Sequence, residues 1–249
     1  MFDGYYGYGN GISSLFSSFN SIYWILFFGV SLISWLVQAN LQSKFNKYSK
    51  IPAFSGMTGK ATAEKMLSDY GIKDVSVECI SGQLTDHYNP LTKTLNLSTA
   101  VYNGNSIMAV AVAAHECGHA VQHATAYSPL TLRSKLVPVV TFSSKWMTWV
   151  LLGGMLILSF FNNPWVLGAG IILFSFTTLF AFITLPVEIN ASSRAITWLD
   201  QRGMTDKITH EYAVKALRAA AYTYVVAALS SLASLLYYLM IFLSGSRRR

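Results

Sequence analysis

Charge is scarce in this chain. Asp, Glu, Lys and Arg make up 12% of its 249 residues, about half the share usual in a soluble domain, where roughly a quarter of residues are charged. With 53% hydrophobic residues and a mean hydropathy of +0.40, an ordinary soluble domain is excluded. Cysteine is rarer still: Cys79 and Cys117 are the whole complement, too few for a disulfide framework, and a cytosolic face would keep both reduced. Residues 1–21 contain no Lys or Arg, so the apolar run that follows lacks the basic start of a cleaved signal peptide and reads as a retained anchor. No basic stripe with interleaved aromatics occurs, which argues against a nucleic-acid partner. Internal repeats and low-complexity tracts are also missing.

Four apolar stretches carry the excess: Ile22 to Ala39, Met147 to Phe161, Trp165 to Pro186 and Tyr222 to Leu243. About 20 apolar residues cross a hydrocarbon core of roughly 30 Å. The second stretch reaches that length only with its flanks. Asn162-Asn163-Pro164 reads as a tight polar turn, making stretches two and three a transmembrane hairpin. None of the four contains an internal acid or base, which disfavours a transporter.

The resulting organisation is a flexible Gly/Tyr/Ser-rich tail (1–21), a first span (22–39), a region of conventional composition (40–146), the hairpin (147–186), a second such region (187–221), a fourth span (222–243) and a basic tail (244–249). Ten of the 18 basic residues fall in 40–146 and five in 187–221. The positive-inside rule therefore places both regions in the cytoplasm. Four spans then put both chain ends outside, which sets Arg247 to Arg249 against the rule. The net charge of +7 reflects this topology and contact with anionic lipid in the bilayer.

Within 40–146 the pattern predicts a helix from Thr58 to Tyr70, a strand from Val75 to Ile80, and a hairpin pairing Leu84–Tyr88 with Lys93–Ser98 around Asn89-Pro90. A second helix follows, from about Ser106 to Ala124. That helix carries His115-Glu116-Cys117-Gly118-His119. Residues four apart lie one turn above each other, so both imidazoles face the same way and can hold one Zn²⁺. Glu116 can then reach the water that such an ion activates. Cys117 points away from that face and reads as a packed residue.

A catalytic zinc ion usually takes a third protein ligand. His123 extends the series, but three His on successive turns of a straight helix span about 12 Å and cannot all approach one ion. Glu188 is the better candidate. It lies at the cytoplasmic end of the third span, where a carboxylate is costly unless solvated or coordinated. Pro186 marks a kink or restart, after which Glu188 and Ser192 share a helix face.

HECGH, then a membrane hairpin, then LPVEINASSRA resembles the gluzincin-type membrane metallopeptidases, most closely the YugP-like bacterial neutral zinc metallopeptidase family. DHYNPLTKTLNLS, VAVAAHECGHAVQH and ALRAAAYTYVVAAL also match that family's blocks in order, and the likeness runs from about Tyr48 to Leu243. A more distant similarity is to the HtpX-type proteases. Their second motif has an Asp four residues after the Glu; here Ser192 stands there, so Ser192 or Asn190 is left to orient a ligand His.

The resemblance implies a mostly helical α+β membrane protein, with about four transmembrane helices and a zincin-like cytoplasmic catalytic domain carrying a small sheet. The implied function is a zinc endopeptidase of the bacterial cell membrane, multi-pass, acting on membrane-associated peptide or protein substrates. His115, His119 and Glu188 would hold a single zinc ion, and Glu116 would act as general base and then acid. Tyr224, in ALRAAAYTYV, is the expected donor to the developing oxyanion, ahead of His210, Arg218 and Tyr222. Zincins commonly bind substrate along a sheet edge, which points to Thr94, Leu95, Asn96 and Leu97. A catalytically silent zinc-binding membrane scaffold or regulator is the alternative, and the intact Glu116 argues against it. Intramembrane proteolysis is disfavoured because the His pair falls outside every span.

Overall fold

The computed structural model describes residues 9–246, with side chains at Ser21 and from residue 24 to residue 245. Four long helices dominate it: α1 (Gly9–Tyr48), α5 (Ser128–Phe161), α6 (Trp165–Gln201) and α7 (Lys207–Ser246). All four are long and apolar enough to cross a membrane. Between α1 and α5 lie α2 (Gly59–Asp69), β1 (Ser76–Ile80), β2 (His87–Asn89), β3 (Thr94–Ser98), α3 (Thr99–Tyr102) and α4 (Ile107–Ala124). The protein is thus a mostly helical α+β chain with a small three-stranded sheet.

Each apolar stretch sits inside a helix longer than itself. The 22–39 stretch lies in a helix that already begins at Gly9, while residues 1–8 of the expected tail fall outside the described residues, as do 247–249 of the basic tail. Met147–Phe161 is the second half of α5, and Tyr222–Leu243 belongs to a helix that starts at Lys207. Nothing forces a helix to stop where lipid ends, since its backbone hydrogen bonds close internally in either medium. The regions at 40–146 and 187–221 are therefore continuous with the spans. Pro186 does not break its segment: α6 runs through it from Trp165 to Gln201.

The hairpin turn forms as its residues require. Asn162 takes the left-handed conformation (φ +50°) that ends α5, and its N–H returns to Leu158 O at 3.1 Å. Asn163 Oδ1 then accepts from Trp165 N at 3.1 Å, opening α6. Small residues let the two helices close up. A Cβ on Gly154 would lie 2.5 Å from the Leu167 backbone, and one on Gly170 would lie 2.8 Å from the Leu151 side chain.

Thr58 caps α2 by accepting from Ala61 N, and Ser106 caps α4 by accepting from Ala109 N. Met66, Leu67, Leu95, Leu97, Val101, Val110, Val121 and Leu199 form the core between α2, the sheet, α4 and α6. Each such side chain contributes roughly 1.5–3 kcal/mol by leaving water. α4 runs through the middle of this core, with Ala109, Val110, Ala111, Ala113, Ala114 and Cys117 all buried.

The strand order is β1-β3-β2, with β1 parallel and β2 antiparallel to β3. This corrects the expectation that Thr94–Leu97 offers a free edge. β3 is hydrogen-bonded on both sides, and Leu95 and Leu97 are fully buried. The edge nearer to α4 belongs to β2.

Candidate metal centre

α4 delivers His115 and His119 to one face, one turn apart, with their rings 4.9 Å between centroids. α6 delivers Glu188 opposite them. Its Oε2 lies 3.4 Å from His115 Nε2 and 3.5 Å from His119 Nε2. The three ligating atoms fall within 4.8 Å of one another. Gly118 makes this meeting possible: a Cβ there would sit 2.6 Å from the carbonyl oxygen of Ala191, so α4 and α6 touch backbone to backbone at the centre.

The outward nitrogens are fixed in turn. His119 Nδ1 lies 3.0 Å from Gln122 Oε1. Gln122 is fully buried, and its amide nitrogen donates to Val187 O at 2.8 Å and Asn190 Oδ1 at 2.9 Å. Its oxygen must therefore face the imidazole, which makes His119 Nδ1 the donor and leaves an Nε2 lone pair toward Glu188. His115 Nδ1 lies 3.0 Å from Ser192 Oγ. Ser192 thus touches a candidate ligand directly. Asn190 acts one step away, through Gln122, while also accepting from Arg194 Nε at 2.8 Å.

A neutral His119, its Nδ1 donating to Gln122, turns an Nε2 lone pair toward the carboxylate, and the two repel unless a proton or a metal ion lies between them. Glu188 is 3% exposed, and its Oε2 is buried without a hydrogen-bond partner among the described residues. At His119, burial pushes the imidazole pKa down, but the Glu188 carboxylate and the charge of Glu116 outweigh it and hold the pKa above the usual value. The cluster favours positive charge, and two neutral imidazole nitrogens with one carboxylate are a donor set that suits zinc.

Glu116 is buried beside the pair, and its Oε2 accepts from Tyr88 N, on β2, at 3.1 Å. Tyr88 also places its hydroxyl 2.9 Å from His123 Nδ1, so His123 binds the sheet and stays out of the cluster. Cys117 faces α2, with Sγ 3.5 Å from Ala63 O, and burial pushes its thiol pKa well up. Asp86 accepts from Ser98 N at 2.7 Å and Ser98 Oγ at 3.2 Å, tying the β2 arm to β3.

A cavity of about 290 Å³ opens over the cluster, lined by Tyr88, Arg133, Phe180 and Tyr224 as well as by His115, Glu116, His119 and Glu188. Tyr224 is thus brought to the centre from α7, whereas His210 lies beside Asp200 (3.9 Å) and neither Arg218 nor Tyr222 lines this cavity. Arg133 and Gln122 are among the residues that sequence reasoning missed, as is Tyr88. Arg133, from the early part of α5, places Nη1 3.6 Å from Glu188 Oε1, the oxygen turned away from the imidazoles. Gln122 carried a local signal, standing three residues after His119 on one helix face; Arg133 carried none.

No solved structure matches the chain at a significant level. A curated relative, "Putative membrane protease YugP" of Bacillus subtilis (strain 168), is 48% identical over 213 residues, covering 86% of this chain and 93% of that protein. The family model described as "Putative neutral zinc metallopeptidase" matches residues 23–243, nearly the whole length over which the metal cluster and its supporting helices are built. The chain belongs to this zinc metallopeptidase family.

Proposed function

We propose that the protein is a membrane-anchored zinc endopeptidase of the gluzincin type, with His115, His119 and Glu188 holding one zinc ion. The observation that carries this reading is the orphaned Oε2 of Glu188, buried 3.4 and 3.5 Å from two imidazole nitrogens with Glu116 alongside. Zinc bound there supplies Lewis-acid chemistry toward water and a peptide carbonyl.

The remaining work falls to the chain's own groups. Glu116 takes the proton of the attacking water and returns it to the leaving amine, with Tyr88 N holding one carboxylate oxygen in place. Gln122 keeps His119 in the tautomer whose Nε2 can bind a metal, and Ser192 engages His115 Nδ1, leaving the Nε2 of that ring facing Glu188. Arg133 keeps the second oxygen of Glu188 occupied. Tyr224, in the wall of the same cavity, donates to the oxygen on which negative charge develops.

The distribution of basic residues argues for a cytoplasmic catalytic face. Glu188 lies about 35 Å along α6 from Trp165 at 1.5 Å per residue, just beyond a hydrocarbon core of roughly 30 Å. The centre then stands at the headgroups, within reach of juxtamembrane or unfolded membrane-protein segments. Cleavage of an unfolded membrane protein by wild type and by Glu116→Gln, with zinc content measured in parallel, tests the reading. Loss of cleavage with zinc retained is expected; equal cleavage by both proteins ends it.

A further inference from the structure

The cavity over the cluster is one of two that reach Glu116. The second, of about 240 Å³, opens on the same face of α4, further toward its N-terminal end, between α1 and α7. Asp86, His115, Glu116 and Tyr224 line both cavities, so the general base stands at their junction.

The two sides differ in chemistry. The first carries Arg133, His119 and Glu188 among its walls. The second is walled by Leu41 of α1, Met108 and Val112 of α4, and Ala216, Ala220 and Thr223 of α7. Its charged members, Asp86 and Glu116, are shared with the first side, and both carboxylates already accept from backbone N–H groups. An exopeptidase needs a closed end with a charge set aside for a chain terminus. No unshared charged residue lines this side to serve that purpose. Ala216 and Ala220 lie one turn apart on α7, and their small side chains leave room for a larger one.

We infer that substrate runs through the centre from one cavity to the other, and that the α1/α7 side is a subsite for a bulky apolar side chain next to the cleaved bond. This rests on the metallopeptidase reading and adds to it a substrate class: extended chains, cut internally, with Leu- or Phe-like residues at one fixed position. Two of its walls, α1 and α7, are helices long and apolar enough to cross a membrane, which suits segments leaving a bilayer.

The test uses full-length, zinc-loaded protein in detergent and two peptide mixtures, one acetylated and amidated and one with free ends, with cleavage sites read by mass spectrometry. Internal cuts are expected, with large apolar residues preferred over Ala at one position flanking the cut by at least about tenfold, the scale of a methylene-sized difference in an apolar pocket. Ala220→Phe, which fills the cavity, shifts that position toward small residues while zinc content holds. Val112→Phe does the same from the opposite wall and substitutes for Ala220→Phe should that variant fail to fold. Cleavage confined to peptides with free ends overturns the through-running path. Cleavage whose positional preference survives in a folded, zinc-replete variant overturns the subsite. A wild type that cuts neither free nor blocked peptides brings down the metallopeptidase reading itself, and the subsite falls with it.

Discussion

Gln122 Oε1 lies 3.0 Å from His119 Nδ1, and the same amide ties α4 to α6 through Val187 O and Asn190 Oδ1. One buried side chain therefore sets the orientation of an imidazole and the spacing of the two helices that face it. Substituting Gln122 by Leu preserves bulk but removes the acceptor and leaves the Val187 contact unmade. Zinc affinity, measured by chelator competition, is expected to fall about 10- to 100-fold, the usual cost of losing a group that orients a metal-binding His.

Glu188 and His123 offer a direct contrast. Glu188→Ala removes the carboxylate that faces both imidazoles, whereas His123 is engaged with Tyr88 on the other side of Glu116. Zinc occupancy after dialysis is expected to drop sharply in Glu188→Ala and to stay near wild type in His123→Ala. Chelation should lower the melting temperature of wild type much more than that of Glu188→Ala, because a ligand bound only by the folded state stabilises it.

Legibility in the sequence followed distance along the chain. The His pair and Glu116 sit within five residues of one helix, and helical periodicity alone placed them together. Glu188 was found because a carboxylate beside an apolar span demands a partner. The apolar runs gave the four long helices, although their ends were invisible, since each continues past its run on ordinary helical residues. Strand order is decided by pairing between residues about twenty apart, β1 with β3, so nothing local distinguished Thr94–Leu97 as a central strand. Arg133 meets Glu188 across 55 positions, only because the hairpin folds α5 back along α6. Pro186 starts no new helix, because a proline in a long helix costs one hydrogen bond, which tertiary packing can offset.

Tyr224 reaches the cavity wall from α7, where the proposed mechanism makes its hydroxyl the oxyanion donor. Tyr224→Phe keeps the ring and deletes only the hydroxyl. The turnover number is expected to fall about 10²- to 10³-fold with KM and zinc content little changed, as for loss of one oxyanion donor. A rise in KM alone would make Tyr224 a binding residue.

Gly118 separates packing from chemistry. A Cβ there meets Ala191 O at 2.6 Å, so Gly118→Ala must push α4 off α6. Overpacking of this kind costs about 1–3 kcal/mol, and here it also spreads the ligands. Lower thermal stability in detergent and reduced zinc content are both expected. Gly153→Ala is the control: open space surrounds that position, and replacing a mid-helix Gly by Ala should gain roughly 0.5–1 kcal/mol.

α6 passes from the hairpin turn to Gln201 without a break, carrying Glu188 and Ser192 on the way. The carboxylate consequently belongs to the same unbroken helix as the apolar segment, with no tether of adjustable length between the two. The distance from that apolar segment to the candidate metal centre is fixed by the helix itself. A zinc endopeptidase built in this way would reach only targets brought to the bilayer surface, so nearness to the membrane would act as a selection rule before any side chain is recognised.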